Sequence, residues 1–146
     1  MKSVIERGWG KRPFQSTASM RDDLPMRVLL IDDERTLGLT LARAMSDRYE
    51  IVFETSALRA FHRLERDPGF HAIVCDVNMP GESGVALYER VARRWPGMEQ
   101  KVVFMTGGSF DESTSRFLEK VPNYCLEKPF DVSTLESALE SSKYQT

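Results

Sequence analysis

Leu29-Leu30-Ile31 runs directly into Asp32-Asp33-Glu34. Like charges side by side repel, and burial adds to the cost. Such acids are either solvated loop residues or ligands of a cation. A lone carboxylate, Asp76, follows Ile73-Val74-Cys75, Thr106 follows Val102-Val103-Phe104-Met105, and Lys128 follows Cys125-Leu126-Glu127. Together these are hard oxygen donors, one hydroxyl and one ammonium. Asp32, Asp33 and Asp76 suit Mg²⁺, which takes few carboxylates and keeps several waters. Asp76, standing alone, could attack phosphorus as a nucleophile. The metal, Lys128 and Thr106 would then share the charge on the phosphoryl oxygens. Singly, each residue has a plainer reading. Paired acids cap helices, a Thr before Gly107-Gly108 belongs to a loop, and a Lys before Pro sits on the surface. The set acquires meaning only if one fold gathers it.

What must gather it is a group of strands ending on one rim. Strand-sized runs rich in Val and Ile are RVLLI (27–31), EIVFE (50–54), HAIVC (71–75), KVVFM (101–105) and YCLE (124–127). Between them apolar residues recur at helical spacing. The stripes are Leu37, Leu41, Ala44 and Met45; Ala57, Ala60, Phe61 and Leu64; Leu87, Tyr88, Val91 and Trp95; Thr114, Phe117 and Leu118; and Leu135, Ala138 and Leu139. Asp131 or Ser133 stands where a cap for the last would be. Asp67-Pro68-Gly69, Pro80-Gly81, Pro96-Gly97 and Gly107-Gly108 separate the units. This alternation predicts an α/β domain with a five-stranded parallel sheet and five helices on its two faces. Right-handed crossovers restrict the topology sharply, and ligands in such sheets sit at the carboxyl ends of the parallel strands, near the switch in strand order.

The chain has 146 residues, enough for one domain with a substantial core. Its net charge of −2 gives no bulk electrostatic reason to bind nucleic acid. No apolar run has the length of a membrane span, and MKSVIERGWGKRPF lacks the apolar centre of a secretory signal. A cytoplasmic chain is expected, with Cys75 and Cys125 as reduced core thiols. Residues 1–25 show no sustained period and read as a mobile tail, with room for a short helix around Ser3–Arg7.

Residues 26–143 resemble the receiver domain of two-component response regulators. The resemblance rests on the pair Asp32-Asp33, on Asp76-Val77-Asn78-Met79-Pro80-Gly81, on Thr106, and on Lys128-Pro129-Phe130. The stretches around Thr106 and Lys128 look most like receivers attached to hybrid histidine kinases. The resemblance implies a flavodoxin-like three-layer sandwich with strand order 2-1-3-4-5. It implies phosphorylation of Asp76 by a histidine kinase or histidine phosphotransfer protein, followed by altered affinity for a downstream protein. Asp33, Asp76 and the backbone carbonyl of Asn78 would bind Mg²⁺ directly, and Asp32 mainly through water. Thr106 and Lys128 would hold the phosphoryl group, and the Lys128–Pro129 bond would be cis. The chain would then be a signalling phosphoacceptor and not an enzyme, stand-alone or excised from a larger protein. It would make no direct contact with nucleic acid or membrane.

One departure from that family stands out. The switch aromatic three residues before the lysine is replaced by Cys125, and Tyr124 lies one step earlier. Neighbouring strand residues face opposite sides, so Tyr124 does not substitute. Output is therefore expected through the fourth helix, with Phe110 and Phe117. Gly108 brings no side chain near an attacking water, which leaves Asn78 as the main local side chain affecting hydrolysis. Cys75 and Cys125 belong to strands separated by another, so their Cα atoms should lie about 10 Å apart, too far for a disulfide. Two other functions draw on related groups. A metal-dependent phosphohydrolase of haloacid-dehalogenase type uses similar groups, but ends its first strand in Asp-x-Asp and carries a cap insertion. A receiver-like binding domain that is never phosphorylated would not need the complete acid–Thr–Lys set.

Overall fold

A computed structural model describes residues 25–108 and 110–142. The tail read at residues 1–25, with its helix around Ser3–Arg7, lies outside them apart from Pro25. The apolar runs form β1 (Met26–Ile31), β2 (Tyr49–Glu54), β3 (Ala72–Asp76), β4 (Val102–Thr106) and β5 (Cys125–Glu127). All pair in parallel in one sheet of order β2-β1-β3-β4-β5. Between and after them come α1 (Arg35–Ala44), α2 (Ala57–Arg66), α3 (Gly84–Arg94), α4 (Glu112–Lys120) and α5 (Val132–Ser142). This is the flavodoxin-like three-layer arrangement.

Successive residues of the central strands enter opposite cores. Leu29, Ile31, Ile73, Cys75 and Phe104 pack with the inner faces of α2, α3 and α4. Val28, Leu30, Val74, Val103 and Met105 pack with α1 and α5. Burial on both faces explains why β1, β3 and β4 read as unbroken apolar runs. Each fully buried Leu, Ile or Val contributes about 1.5–3 kcal/mol relative to exposure. The polar rim thus stands on a close-packed base.

The helices begin where short polar side chains satisfy free backbone N–H groups. Ser56 Oγ accepts from Arg59 N–H at 3.1 Å, and Ser83 Oγ from Ala86 N–H at 3.1 Å. Asp111 and Asp131 accept from Thr114 and Thr134 N–H, each at 2.9 Å. α1 differs. Its N-cap, Glu34, makes no side-chain cap bond, so the acids before it are not serving as an ordinary cap.

Several expectations need correction. Ala44 is exposed, and the buried stripe of α1 runs through Gly38 and Leu41 to Met45. Gly38 fits there because the Phe53 ring lies where a Cβ would stand. β3 and β4 begin one residue later than read, so Thr106 ends its strand instead of following it. A 3₁₀ turn at Met98–Lys101 precedes β4. Cys75 is buried, but Cys125 is exposed on the edge strand β5 and is not a core thiol. Both cysteines are free, and both pair in register with Phe104, one from each side. The single intervening strand is the spacing expected for them.

Gly84 opens α3 against the end of β3. A Cβ there would lie 2.5 Å from the Asp76 carbonyl oxygen and 2.9 Å from Val77 Cα. Backbone cannot give way as a flexible side chain can. Gly84→Ala is therefore expected to destabilise the protein by about 1–3 kcal/mol through overpacking. Urea unfolding measures this, and an unchanged midpoint would show that α3 shifts freely away from β3.

Candidate functional site

The carboxyl ends of β1, β3, β4 and β5 meet on one rim. Asp32 follows β1, and its backbone N–H donates to Glu54 C=O at 3.2 Å, continuing the ladder with β2. That keeps its side chain inside, with no exposed surface. Asp32 Oδ1 accepts from Glu34 N–H at 2.9 Å. The local turn thus separates the three acids: Asp32 points inward while Asp33 and Glu34 are exposed. Asp76 ends β3 and is 5% exposed. Its Oδ1 accepts from Asn78 N–H at 2.8 Å.

Lys128 joins the two buried acids. Its Nζ donates to Asp32 Oδ2 at 2.7 Å and to Asp76 Oδ2 at 2.8 Å. Glu34 Oε1 stands 3.7 Å away. The Lys128 backbone N–H donates to Thr106 C=O at 2.7 Å, which fixes β5's exit against the end of β4. The Lys128–Pro129 bond is cis, as the resemblance implies.

The two protonation equilibria shift for different reasons. Burial raises the Asp76 carboxyl above its usual range, and the Lys128 and Asn78 hydrogen bonds only partly reverse this. Burial lowers Lys128, but its bonds to Asp32 and Asp76 outweigh that and hold it above the usual lysine value. One ammonium gains two partners, whereas each acid receives a share of one. The ammonium is therefore firmly charged, and Asp76 is the strained member.

Asp32, Asp33 and Asp76 each offer an oxygen within 4.8 Å of the others. Three carboxylate donors fit a hard divalent cation such as Mg²⁺. A cleft of about 910 Å³ opens beside them, lined by Asp76, Asn78, Gly107, Lys128 and, from α1, Thr36 and Leu37.

Of the residues singled out from sequence, Asp32, Asp33, Asp76 and Lys128 come together directly. Asn78 joins through its backbone N–H. Thr106 is 6% exposed at the adjacent strand end, linked to Lys128 through its carbonyl. Cys125 lies further back, level with Phe104. The sequence reading missed Glu34 as a third neighbour of Lys128. Its position two residues after Asp32, within the turn that Asp32 caps, was the available signal. It also missed Gly84 as the packing partner of the Asp76 backbone.

Residues 28–140 match the family described as the response regulator receiver domain. The chain is 30% identical over 123 residues to the hydrogenase transcriptional regulatory protein HoxA of Bradyrhizobium diazoefficiens, covering 81% of this chain and 25% of that protein. It is 33% identical over 111 residues to the response regulator protein FleR of Pseudomonas aeruginosa, covering 75% of this chain and 23% of that one. The two-component response regulator ORR6 of Oryza sativa subsp. japonica is 32% identical over 120 residues, with 78% and 71% covered. HoxA and FleR are thus matched over about a quarter of their length. Among solved structures, a receiver domain protein from Clostridium thermocellum superposes with a TM-score of 0.72 at 21% identity, over 81% of this chain and 94% of that one.

The Asp76 geometry predicts a titration. Burial raises its carboxyl and Lys128 lowers it, so removing the ammonium should raise it further. In the metal-free protein, Lys128→Met is expected to move the Asp76 carboxyl midpoint upward, as read by ¹³C NMR. A midpoint that stays in place would show that Lys128 does not contact Asp76 in solution. The linkage has a definite sign. A carboxyl raised on folding favours the folded state below about pH 4, and that contribution is lost as pH rises through the folded midpoint.

Proposed function

The chain belongs to the response regulator receiver domain family, and from that we propose that Asp76 accepts a phosphoryl group from a phosphohistidine. The donor would be a histidine kinase or histidine phosphotransfer protein. The observation that carries this reading is the Lys128 ammonium held between Asp32 and Asp76, beside an open cleft. An Asp76 carboxylate oxygen attacks phosphorus. The phosphorus–nitrogen bond of the donor breaks, and the leaving imidazole nitrogen keeps the electron pair. Lys128, freed from one of its carboxylates, then pairs with a phosphoryl oxygen, and the Thr106 hydroxyl donates to another. Bound Mg²⁺ would neutralise the surplus acids and draw charge from the phosphoryl oxygens. Asp33, Asp76 and the Asn78 backbone carbonyl would hold it, with Asp32 acting mainly through water.

On this reading the protein is a signalling phosphoacceptor that assists only its own phosphorylation and dephosphorylation. It would work in the cytoplasm and pass its state to a protein partner. Phosphorylation biases a two-state surface. Cys125 is too small to report the position of the Thr106 loop. Phe117 is better placed, since it packs edge-on against Tyr88 and Phe104 at centroid distances of 5.1 and 5.7 Å. The phosphohydrolase reading gains no support, because β1 is followed by Asp-Asp-Glu and the family match is to receivers. The reading as a domain that is never phosphorylated gains none either.

Acetyl phosphate with Mg²⁺ should add one phosphoryl group per chain, mapped to Asp76 by mass spectrometry. Asp76→Asn should abolish it, since an amide is a poor nucleophile. Full labelling of that variant elsewhere would reject Asp76 as acceptor. Asp33→Ala should weaken Mg²⁺ binding by at least about tenfold and slow labelling. Titration to the same affinity as the parent would remove Asp33 from the ligand set. Beryllofluoride should shift NMR signals across residues 106–118, Phe117 included. Shifts centred on Tyr124 instead would overturn the rerouted output.

A further inference from the structure

Away from the acidic rim, α2 and α3 carry positive charge that phosphoryl chemistry does not use. A cavity of about 300 Å³ opens between them, lined by Phe61, Arg90, Arg93 and Arg94. Phe61 is its aromatic wall, and the Trp95 ring lies beside that wall, 5.3 Å from the Phe61 ring. The Arg90 guanidinium lies 4.2 Å over the Phe61 ring, and that of Arg94 lies 4.9 Å over Trp95. Stacking holds a guanidinium in place while leaving its edge N–H donors available. Arg90 commits one donor to Glu82 at 2.6 Å. Arg93 and Arg94 are exposed and have no ion pair among the described residues. Arg59 and Arg66 extend the charge along α2, also exposed and unpaired among them.

Arginines at i, i+3 and i+4 on one helix repel one another. The place of Arg93 and Arg94 in the last turn of α3 returns part of that through the helix dipole, which is the ordinary reason for finding them there. The dipole does not account for the aromatic wall, for two rings bracing two guanidinium groups, or for the cavity beside them. An anion seated among the forks would account for all three.

We propose that this cavity docks an acidic segment of a partner protein, whose carboxylates enter the forks of Arg93 and Arg94. Carboxylate and guanidinium pair in two parallel hydrogen bonds, and the stacked Arg94 fork is arranged before the partner arrives, with the exposed Arg93 beside it. A long phosphate backbone fits less well. The chain's net charge is −2, and the exposed Glu65 and Glu89 interrupt the outer side of α2 and α3. A polyanion would meet repulsion on leaving the cavity, whereas a few acidic residues would not. Asp76 takes no part, so the proposal stands or falls independently of the phosphoacceptor reading.

The test titrates the ¹⁵N-labelled full chain with a deca-glutamate peptide at low ionic strength. Perturbation is expected in residues 58–66 and 88–97 and at the Trp95 indole N–H, weakening as salt is added. The double variant Arg93→Glu/Arg94→Glu should lose about tenfold or more in affinity, while acetyl phosphate labelling of Asp76 stays unchanged. Both side chains are exposed, so the fold should persist. If it does not, Arg93→Gln/Arg94→Gln carries the test with a smaller loss. Perturbation confined to other residues, or equal affinity in the variants, would overturn the proposal. So would tighter binding of single-stranded oligothymidylate or of phosphatidylserine vesicles at the same residues.

Discussion

The Lys128 ammonium lies 2.7 Å from Asp32 and 2.8 Å from Asp76, while Asp33 and Glu34 add further negative charge beside it. One cation thus faces four carboxylates, two of them buried. Taking such charges out of water costs several kcal/mol per ion unless partners replace the lost hydration. Among the described residues, Asp32 accepts from the Glu34 N–H and Asp76 from the Asn78 N–H, and the two share one ammonium. A divalent cation held by the three aspartates would relieve that deficit. The folded chain thus maintains an imbalance of charge at this rim on which cation binding would draw.

The opposite end of the sheet is balanced. Arg27, near the start of β1, donates to both oxygens of Asp67 at 3.0 and 2.8 Å and lies 3.4 Å from Glu50. It also stacks over Phe70 at 4.4 Å, and its backbone N–H donates to His71 Nδ1 at 2.9 Å. The Asp67 hydrogen bonds hold this guanidinium above its usual value and the carboxyl below its own. Charges at the amino ends close the structure, while charges at the carboxyl ends leave it open to ligand. The sheet's parallel order makes that division possible, since every strand contributes the same kind of end to the same rim.

Much of this was legible in the sequence because the signals are local and periodic. Apolar runs of strand length, separated by stripes at helical spacing, gave both the sheet and its two-sided burial. The acids, Thr106 and Lys128 could be gathered because each stands at the end of such a run. What was not legible depends on contacts between distant segments. Gly38 is buried because Phe53 of β2 occupies the space above it, and a glycine carries no apolar signal. Ala44 looked like part of the stripe but turns outward. Cys125 looked like core because it lies amid strand-like residues, yet β5 is an edge of three residues and leaves it exposed. Glu34 stood in the acidic run after the first strand, but its nearness to Lys128 appears only once β1 and β5 end side by side on the folded rim.

The two margins of the sheet have a consequence for how the chain behaves in a crowd of its own copies. An unpaired strand edge can recruit a second chain and seed ordered aggregation. β5 is only three residues long, too short to offer much of a template. β2 is longer, but it carries Glu50 and Glu54, which are engaged by Arg27 and Arg63. A second copy laid along β2 in register would set like charges opposite each other and disturb both pairs. The sheet whose middle strands are mostly apolar thus carries charge or little length at its borders, which makes either border a poor template for a second copy.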